Sequence, residues 1–366
     1  MTGGDGWAAA CSGDGPPTPF LALRHDRLMA NIDEMAERVA GHGGHSTPHQ
    51  KTHKSVEIAR AQVAAGATRA TVATADEAAL AFDAGFPSVL VAYPPVPGER
   101  ARALAELTGR GPVAVTCSRP EHVAALAATG AEFDVYWEID SGTHRLGTAP
   151  GRRTADAVTA APFTGRVRLR ALMTFAGHAY AATDAAGLAD VRDQQDDALE
   201  STGAVLAERG VEAPVHSVGV TPLARVESGR AHEYRYGNYV FYDATQVALG
   251  GPDASECSLA VISTVVDVPA PDRLVLDAGS KSLPAERMST LTPGFGLVDG
   301  HPDVVIEKLY EEHGLARSAT PHGLAPGDRV AVVPNHACTA VNLFAQYSVH
   351  DGTSFVDTWP IRARRR

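Results

Sequence analysis

The regular alternation of short apolar segments with helical segments between residues 18 and 218 most constrains the fold of this chain. Apolar stretches such as 112–117 and 133–140 alternate with stretches such as 121–128, in which apolar residues recur at helical spacing. Parallel strands need crossover helices of this kind. Roughly eight strands before residue 220 is the count of a (β/α)8 barrel, so we predict an α/β fold built on such a barrel.

A doubly wound parallel sheet is the competing fold. That architecture carries a GxGxxG turn directly after its first strand. The glycine-rich residues 41–44 (GHGG) do not have that spacing. The barrel is therefore the favoured prediction.

The pattern changes near residue 250, where strand-like segments follow one another with only turn signals between them: 259–268, 273–276, 328–334 and 344–349. This change indicates a second domain that is mostly β. We therefore predict a flexible tail rich in Gly, Ala, Ser and Pro, then the barrel, then the β-rich domain, over residues 1–17, 18–250 and 251–366.

Charge and cysteine content limit the function classes. The chain has 32 basic and 43 acidic residues, and the net charge of -11 argues against a dedicated nucleic-acid binder. No apolar run reaches about 18 residues, so no membrane span is predicted. The four cysteines are far apart and form no CxxC motif, which favours a reducing cytoplasm over a disulfide framework.

Residues 48–54 (PHQKTHK) hold two lysines and two histidines. Lys51 follows the second predicted strand, and chemistry in a (β/α)8 barrel sits at the carboxyl ends of the strands. A lysine that faces a cavity there can form a Schiff base with an aldehyde cofactor. A basic loop and a weak metal site are the alternatives that the stretch leaves open.

Other candidate residues follow later strands. Gly177 and His178 come after the strand predicted at 167–175. Loops containing glycine and threonine or asparagine lie at 219–221 and 237–239, and such loops can offer backbone N–H groups to a phosphate. Each of these loops alone is also compatible with an ordinary turn.

His336 and Cys338 lie two residues apart in the sequence PNHAC. On an extended segment their side chains would point to the same side. Imidazole and thiolate are ligands that suit Zn²⁺, and two protein ligands leave open positions for substrate or water. The alternative is a buried cysteine beside an unrelated histidine.

Five motifs occur in order along the chain: PHQKTHK at 48–54, EIDSGTHRLG at 138–147, SVGVTP at 217–222, YGNYVFYD at 236–243 and PNHAC at 334–338. Together they resemble the D-threonine aldolase and D-serine dehydratase family. These are fold-type III pyridoxal 5'-phosphate (PLP) enzymes, like the alanine racemases, and the resemblance extends over about residues 18–357. It implies a PLP-binding barrel followed by a β domain.

The resemblance also implies roles for single residues. Lys51 would carry PLP as a Schiff base, and Lys54 would be solvent-exposed or a supporting residue. Arg145 would lie beside the pyridoxal ring, and His336 and Cys338 would bind the metal. The phosphate loops would comprise Gly219, Thr221, Gly237, Asn238 and Tyr239. Enzymes of this family are usually homodimers, so a homodimer is expected.

The implied substrate is a β-hydroxy D-amino acid. Family dehydratases carry His-x-Cys at the metal pair, as here, whereas the aldolases tend to carry His-x-Asp. D-serine dehydratase-type β-elimination to a 2-keto acid and ammonia is therefore the favoured prediction. D-threonine aldolase-type cleavage to glycine and an aldehyde is the alternative. The thiolate favours zinc, with Mn²⁺ or Mg²⁺ as alternatives.

His178 lies where an acid or base near the substrate hydroxyl would be useful, although a structural histidine is equally compatible. A racemase would use Lys51 but would need no metal, so His336 and Cys338 argue against it. A non-catalytic PLP-binding barrel usually lacks a second domain, so residues 251–366 argue against that class.

Overall fold

The computed structural model describes residues 6–12, 15–213 and 215–364 and divides into two compact units. The barrel unit is continuous and comprises Glu34–Gly237. The antiparallel unit combines Met1–Asp33 with Asn238–Arg366.

Eight parallel strands form the barrel unit, and a bridge between His49 and Thr71 joins the first of them to the second and closes the barrel. This confirms the predicted barrel architecture. Strands β3, β4 and β5 are buried along their whole length, as expected for parallel strands with both faces covered. With β1 assigned to Phe20–Arg24, the barrel strands in chain order are β2 His45–Ser46, β3 Ala70–Val72, β4 Val89–Val91, β5 Val113–Cys117, β6 Phe133–Ile139, β7 Val167–Thr174, β8 Val215–Val218 and β9 Glu233–Tyr234.

Side-chain caps mark the beginning of three of the crossover helices, α3, α4 and α8. Thr74 accepts a hydrogen bond from the backbone N–H of Glu77 at 3.2 Å, and Asp184 accepts one from Gly187 at 2.8 Å. Gly85 ends its helix with a φ of 101°, which favours glycine. After α1 (Ala8–Cys11), the helices are α2 His25–Gly41, α3 Val56–Ala64, α4 Ala75–Ala84, α5 Gly98–Leu107, α6 Pro120–Ala127, α7 Arg152–Ala160 and α8 Ala185–Glu208.

The set of barrel strands differs from the predicted set. The alternation predicts its first strand at residues 19–23, within a barrel spanning 18–250. This strand is β1, and it pairs with strands of the antiparallel unit instead. The eighth barrel strand is instead β9, which the sequence pattern did not indicate. Because β2 and β9 are two residues long each, they show no measurable periodicity.

The antiparallel unit contains a nine-stranded sheet, which agrees with the predicted β-rich domain. Strand β10 pairs with β1, β15 and β11, and the second pairing of β11 closes six of the strands into a ring. Strand β1 also pairs in parallel with β16. The remaining elements are α9 Ala244–Ala248, β10 Leu259–Ala270, β11 Arg273–Leu276, β12 Leu297–Val298, β13 Val304–Leu309, β14 Gly314–Ser318, β15 Arg329–Val333, α10 Ala337–Leu343, β16 Gln346–His350 and β17 Phe355–Pro360.

The N-terminal segment is more ordered than its composition predicts. Residues 6–12 contain α1, and Trp7 and Ala10 are buried against Phe20 and Ile262. A large indole side chain can bury apolar area even in a glycine-rich segment. Residues 1–5 and 13–14 of the predicted tail lie outside the described residues, as do 365–366 of the basic C-terminus.

Within the described ranges, no helix is long and apolar enough to cross a membrane. All four cysteines fall in those ranges, and none of them forms a disulfide. This agrees with the absence of a disulfide framework in the sequence pattern.

Candidate active site

Lys51 lies in a 3₁₀ turn, Gln50–Thr52, at the carboxyl end of β2. The turn is held on both sides. The backbone N–H of His49 donates to the Tyr236 carbonyl at 2.9 Å, and the Gln50 amide donates to Gln62 Oε1 on α3 at 2.9 Å. The lysine stretch is therefore a buried, anchored turn rather than a solvated basic loop.

The ring of Phe175 lies below two cationic side chains. Lys51 Nζ is 5.6 Å and the Arg145 guanidinium carbon 4.2 Å from the ring centroid, both within cation–π range. Gly177 packs against the ring, since a Cβ at that position would lie 2.5 Å from Phe175 Cε1. The barrel unit thus brings together Lys51 and Arg145, two residues singled out from the sequence.

Arg145 projects from a loop with little freedom. Asp140 accepts backbone hydrogen bonds from Gly142 at 3.0 Å and His144 at 2.9 Å. A Cβ on Gly147 would lie 2.5 Å from the Asp140 nitrogen, so only glycine fits there. Gly142 and Gly147 of the motif EIDSGTHRLG therefore help to fix the conformation of the loop from which Arg145 projects.

The surroundings of Lys51 are strongly positive. Burial lowers the pKa of His49 well below its usual value, and Lys51, Arg235 and Arg145 lower it further. His49 is therefore a neutral imidazole at neutral pH, and its Nδ1 accepts the Lys51 backbone N–H at 3.4 Å. Such a field suits an anionic ligand.

Arg235 and Glu138 are two buried charged residues that the sequence pattern did not single out. Arg235 donates to Ser217 Oγ at 2.6 Å and to the Thr174 carbonyl at 2.5 Å. Burial lowers the pKa of Arg235 to about 10, against the opposing influence of Glu138, so its charge persists at pH 7. Burial raises the pKa of Glu138, and the nearby Arg145 and Arg235 reduce that rise.

Glu138 is the first residue of the motif EIDSGTHRLG, and Arg235 directly precedes the motif YGNYVFYD. Each is a charged residue in or directly after a barrel strand and close to a glycine-containing loop, and this combination could have indicated them.

Lys54 has a different environment from Lys51. Its side chain is buried, with 8% of its surface exposed, and it forms an ion pair with Glu77, of which 2% is exposed. The other oxygen of Glu77 accepts the Ala73 backbone N–H at 2.7 Å. The solvent-exposed option for Lys54 is therefore wrong, because the turn after Lys51 directs this side chain inward.

His178 is half-buried in the 3₁₀ turn Gly177–Ala181. Its Nδ1 is 3.2 Å from Thr143 Oγ1, and its Nε2 is 3.2 Å from Gln194 Oε1. The Thr143 hydroxyl donates to the Phe175 carbonyl at 2.6 Å, which fixes Thr143 beside the His178 ring. The imidazole is thus oriented beside Phe175.

The two predicted phosphate loops approach neighbouring backbone closely. A Cβ on Gly219 would lie 2.9 Å from Arg235 Cβ, and a Cβ on Gly237 would lie 2.7 Å from Thr52 Oγ1. Neither glycine has a positive φ. Their need for glycine therefore comes from close packing, which leaves backbone N–H groups unshielded by side chains. Thr221, which begins the next 3₁₀ turn, is buried.

Asn238 and Tyr239 begin the second segment of the antiparallel unit, in a buried 3₁₀ turn directly after Gly237. The Asn238 amide donates to Asp243 Oδ2 at 2.5 Å. The same oxygen accepts the backbone N–H of Ala337 at 3.0 Å. Asp243 therefore links the Asn238 turn to the segment that contains His336 and Cys338.

The metal-pair segment is not extended. His336 caps the helix α10, and Cys338 lies in the first helical turn, so the expectation of an extended segment was wrong. The two side chains nevertheless meet, since Cys338 hydrogen-bonds His336. Although burial alone would lower it, the pKa of His336 is raised well above its usual value by Cys338, Glu286 and Asp243.

Glu286 is a third member of this cluster that the sequence pattern did not indicate. Its Oε1 is 2.6 Å from His336 Nδ1, and the Thr339 hydroxyl donates to the same oxygen. The hydrogen bond with His336 is the main cause of the lowered pKa of Glu286. Nothing in the local sequence marks Glu286, because 50 residues separate it from His336.

The two sets of residues fit a cofactor and a metal to different degrees. The barrel-unit set offers an amine, a positive field and close-packed glycines, which suit a phosphorylated aldehyde. The antiparallel-unit set offers an imidazole and a thiol, the donor types of zinc. Within the described part of the chain, no group of three or more His, Cys, Asp or Glu is placed to hold a metal ion.

Two family models match the chain: "Alanine racemase, N-terminal domain" over residues 23–244 and "Putative serine dehydratase domain" over residues 258–350. The D-threo-3-hydroxyaspartate dehydratase of Delftia sp. (strain HT23) is 31% identical, covering 93% of this chain and 96% of the relative. The D-threonine aldolase of Arthrobacter sp. is 30% identical, covering 95% and 92%. The solved structure of the Delftia dehydratase has a TM-score of 0.83 at 30% identity, covering 94% and 97%.

The barrel, the antiparallel unit and both family models define an alanine racemase-like fold. This chain belongs to the family of PLP-dependent lyases that includes these dehydratases and aldolases. It is therefore an enzyme, and the resemblance noted from its motifs is confirmed.

Proposed function

We propose that this enzyme dehydrates a β-hydroxy D-amino acid to a 2-keto acid and ammonia. We propose PLP and a divalent metal as its cofactors, with zinc as the favoured metal. The observation that carries the proposal is the anchored Lys51 at the carboxyl end of the barrel, beside Arg145 over the Phe175 ring. A lysine in this position is the group that an aldehyde cofactor requires.

When bound, PLP supplies an electron sink for negative charge at the substrate α-carbon. Lys51 would hold the cofactor and would take the α-proton on its Nζ atom. Arg145 and the buried Arg235 supply fixed positive charge for an anionic ligand. The loops at Gly219–Thr221 and Gly237–Tyr239 would bind its phosphate through backbone N–H groups.

His336 and Cys338 would hold the metal, whose chemistry is that of a Lewis acid toward the β-hydroxyl. Glu286 accepts from His336 Nδ1, which leaves the other ring nitrogen for a ligand bond. Solved structures of D-threo-3-hydroxyaspartate dehydratase include a cysteine-to-alanine variant in the metal-free form and a variant of a histidine two positions earlier. That spacing equals the spacing of His336 and Cys338, which supports the pair as ligands.

Absorbance spectra and product assays test the proposal. We expect the purified protein to show the visible absorbance of lysine-bound PLP and Lys51→Ala to lose it. With D-serine, D-threonine and D-threo-3-hydroxyaspartate as substrates, we expect keto-acid formation that EDTA abolishes and zinc restores. Retention of the absorbance band in Lys51→Ala would exclude the lysine assignment, and full turnover after metal removal would exclude the metal role.

Retro-aldol cleavage is the second candidate function, favoured by the 30% identity with a D-threonine aldolase and by the oriented His178. A base there could remove a proton from the β-hydroxyl. Glycine and an aldehyde, rather than a keto acid and ammonia, would identify this reaction in the same assay. A His178→Asn variant that retains full aldolase turnover would exclude the base role.

A further inference from the structure

A cavity of about 650 Å³ opens at the N-terminal end of the barrel strands, the end opposite to Lys51. Its wall includes Arg69 just before β3, and Arg168 and Arg170 near the start of β7. The N-terminal face of a barrel of this type normally serves stability rather than chemistry. An open cavity with three arginines is therefore unexpected in a chain with a net charge of -11.

A β-bulge contributes to this concentration of arginines. Asp134 of β6 pairs with Arg168, and Val135 pairs with Leu169, but Tyr136 pairs with Ala171. Arg170 is therefore the extra residue of the bulge. Bulges redirect side chains at barrel rims and beside functional sites.

The carboxylates near the cavity do not balance these charges. Arg69 is held by Glu233 at 3.1 Å and by Ser88 Oγ at 3.1 Å. Asp134, the acidic residue of the wall, is 3.9 Å from Arg168, whose side chain is 60% exposed. Arg170 is exposed and forms no ion pair with the described residues. Arg168 and Arg170 both line the cavity, and both side chains are exposed.

We propose that this cavity binds a small organic anion carrying two or more carboxylate or phosphate groups. Arginine binds both groups through paired N–H donors in one plane. The volume falls in the range of small-molecule sites and exceeds what one inorganic phosphate fills. Pro87, Pro112 and Leu169 supply an apolar wall for a carbon skeleton. The site does not depend on the proposed PLP chemistry.

Isothermal titration of the purified enzyme with citrate and with pyrophosphate, at constant ionic strength, tests the site. We expect saturable binding of at least one of the two anions, and the better one indicates carboxylate or phosphate as the preferred group. Arg168→Gln/Arg170→Gln should weaken that binding by about tenfold or more, since hydrogen bonds to charged groups are lost. The matched control is Arg60→Gln/Arg153→Gln, which removes the same charge from exposed helix positions and should bind as the wild type does.

The Asp134→Asn variant provides a second test, in which anion binding is expected to become tighter rather than weaker. Removing the carboxylate from the wall should tighten binding several-fold, because it no longer repels the anion. Absence of saturable binding, or equal affinity in the arginine double variant and its control, would overturn the proposal. Unchanged or weaker binding by Asp134→Asn would also count against it.

Discussion

Lys51 and Lys54 lie in the same motif, PHQKTHK, but their environments in the structure differ. Lys51 is half-buried at the carboxyl end of the barrel, whereas Lys54 is buried against Glu77. A buried ion pair leaves an uncompensated charge when one partner is removed. Lys54 therefore contributes to stability through its pairing with Glu77, while the cofactor role of Lys51 stays a prediction.

Lys54→Ala should lower the free energy of unfolding by about 3–5 kcal/mol, because Glu77 would remain buried without its partner. Urea denaturation followed by circular dichroism measures this change. Arg60→Ala is the control, an exposed cation on α3 that should change stability by less than about 0.5 kcal/mol. A Lys54→Ala protein as stable as the wild type would contradict the assignment.

Glu286 should tune the proposed metal ligand His336 without binding the metal itself. Glu286→Ala should weaken zinc binding by about 10–100-fold, because His336 loses the carboxylate that orients its ring. Competition with a chromophoric zinc chelator measures the affinity without any activity assay. Glu286→Gln should fall between the alanine variant and the wild type, and Glu307→Gln, an exposed residue on β13, should have no effect.

At the scale of elements, the turn after β9 packs directly on the turn that contains Lys51. A Cβ on Gly237 would lie 2.7 Å from Thr52 Oγ1 and 3.0 Å from His49 Cβ. Both neighbours flank Lys51. Any side chain at position 237 would therefore displace the lysine turn.

Gly237→Ala should cost about 1–3 kcal/mol of stability through overpacking, and it should also reduce the content of bound PLP. Thermal unfolding and the visible absorbance of the purified protein measure the two effects. Gly165→Ala is the matched control, since its Cβ would meet nothing within 4 Å and its φ is not positive. Equal behaviour of the two variants would show that close packing at position 237 is unimportant.

The helix α10 shows where element prediction from sequence fails. The spacing of His336 and Cys338 predicts a shared side on a strand, yet the residues meet because His336 caps a helix. Side chains two positions apart share a face on a strand, and here they meet because His336, at the N-cap, still has extended backbone. The spacing of His336 and Cys338 therefore predicted that the two residues meet, but it did not predict the helix on which they lie.

At the scale of the whole molecule, the barrel unit contains a buried acidic pair whose ionisation couples its stability to pH. Burial raises the pKa of Glu227 to about 7, and the neighbouring Asp196 adds to the rise. Burial also raises the pKa of Asp196. Between about pH 4.5 and 7 the folded chain holds a proton on Glu227 that the unfolded chain has released.

The contribution of Glu227 to the free energy of unfolding is therefore fully present below about pH 4.5, and it is lost as the pH rises through about 7. When the pH is raised from 5 to 8, the free energy of unfolding of Glu227→Gln should increase by roughly 3 kcal/mol relative to that of the wild type. Urea denaturation at the two pH values measures this gain. Glu208→Gln, at the exposed end of α8, should show no pH-dependent difference, and a pH-independent effect of Glu227→Gln would contradict the assignment.

The homodimer that the motif resemblance implies stays a prediction at this scale. Sedimentation equilibrium of the purified enzyme should give twice the chain mass of 38.3 kDa. A monomer under conditions of full activity would contradict it.

The sequence by itself determined the barrel, the following β-rich part, the family and the candidate residues Lys51, His336 and Cys338. Strand–helix alternation, residue spacing and motif order are local properties, and they survive without knowledge of long-range contacts. A strand of two residues carries no such pattern, so β9 could not be recognised from it.

Only the tertiary structure decided which residues far apart in the chain meet. It assigned β1 to the antiparallel sheet through pairing with β10 and β16, and it placed Glu77 against Lys54. It also brought Glu286 to His336 and the arginines of β7 to the N-terminal cavity. The physical reason is the same in each case, because pairing, burial and charge compensation depend on neighbours in space rather than in sequence.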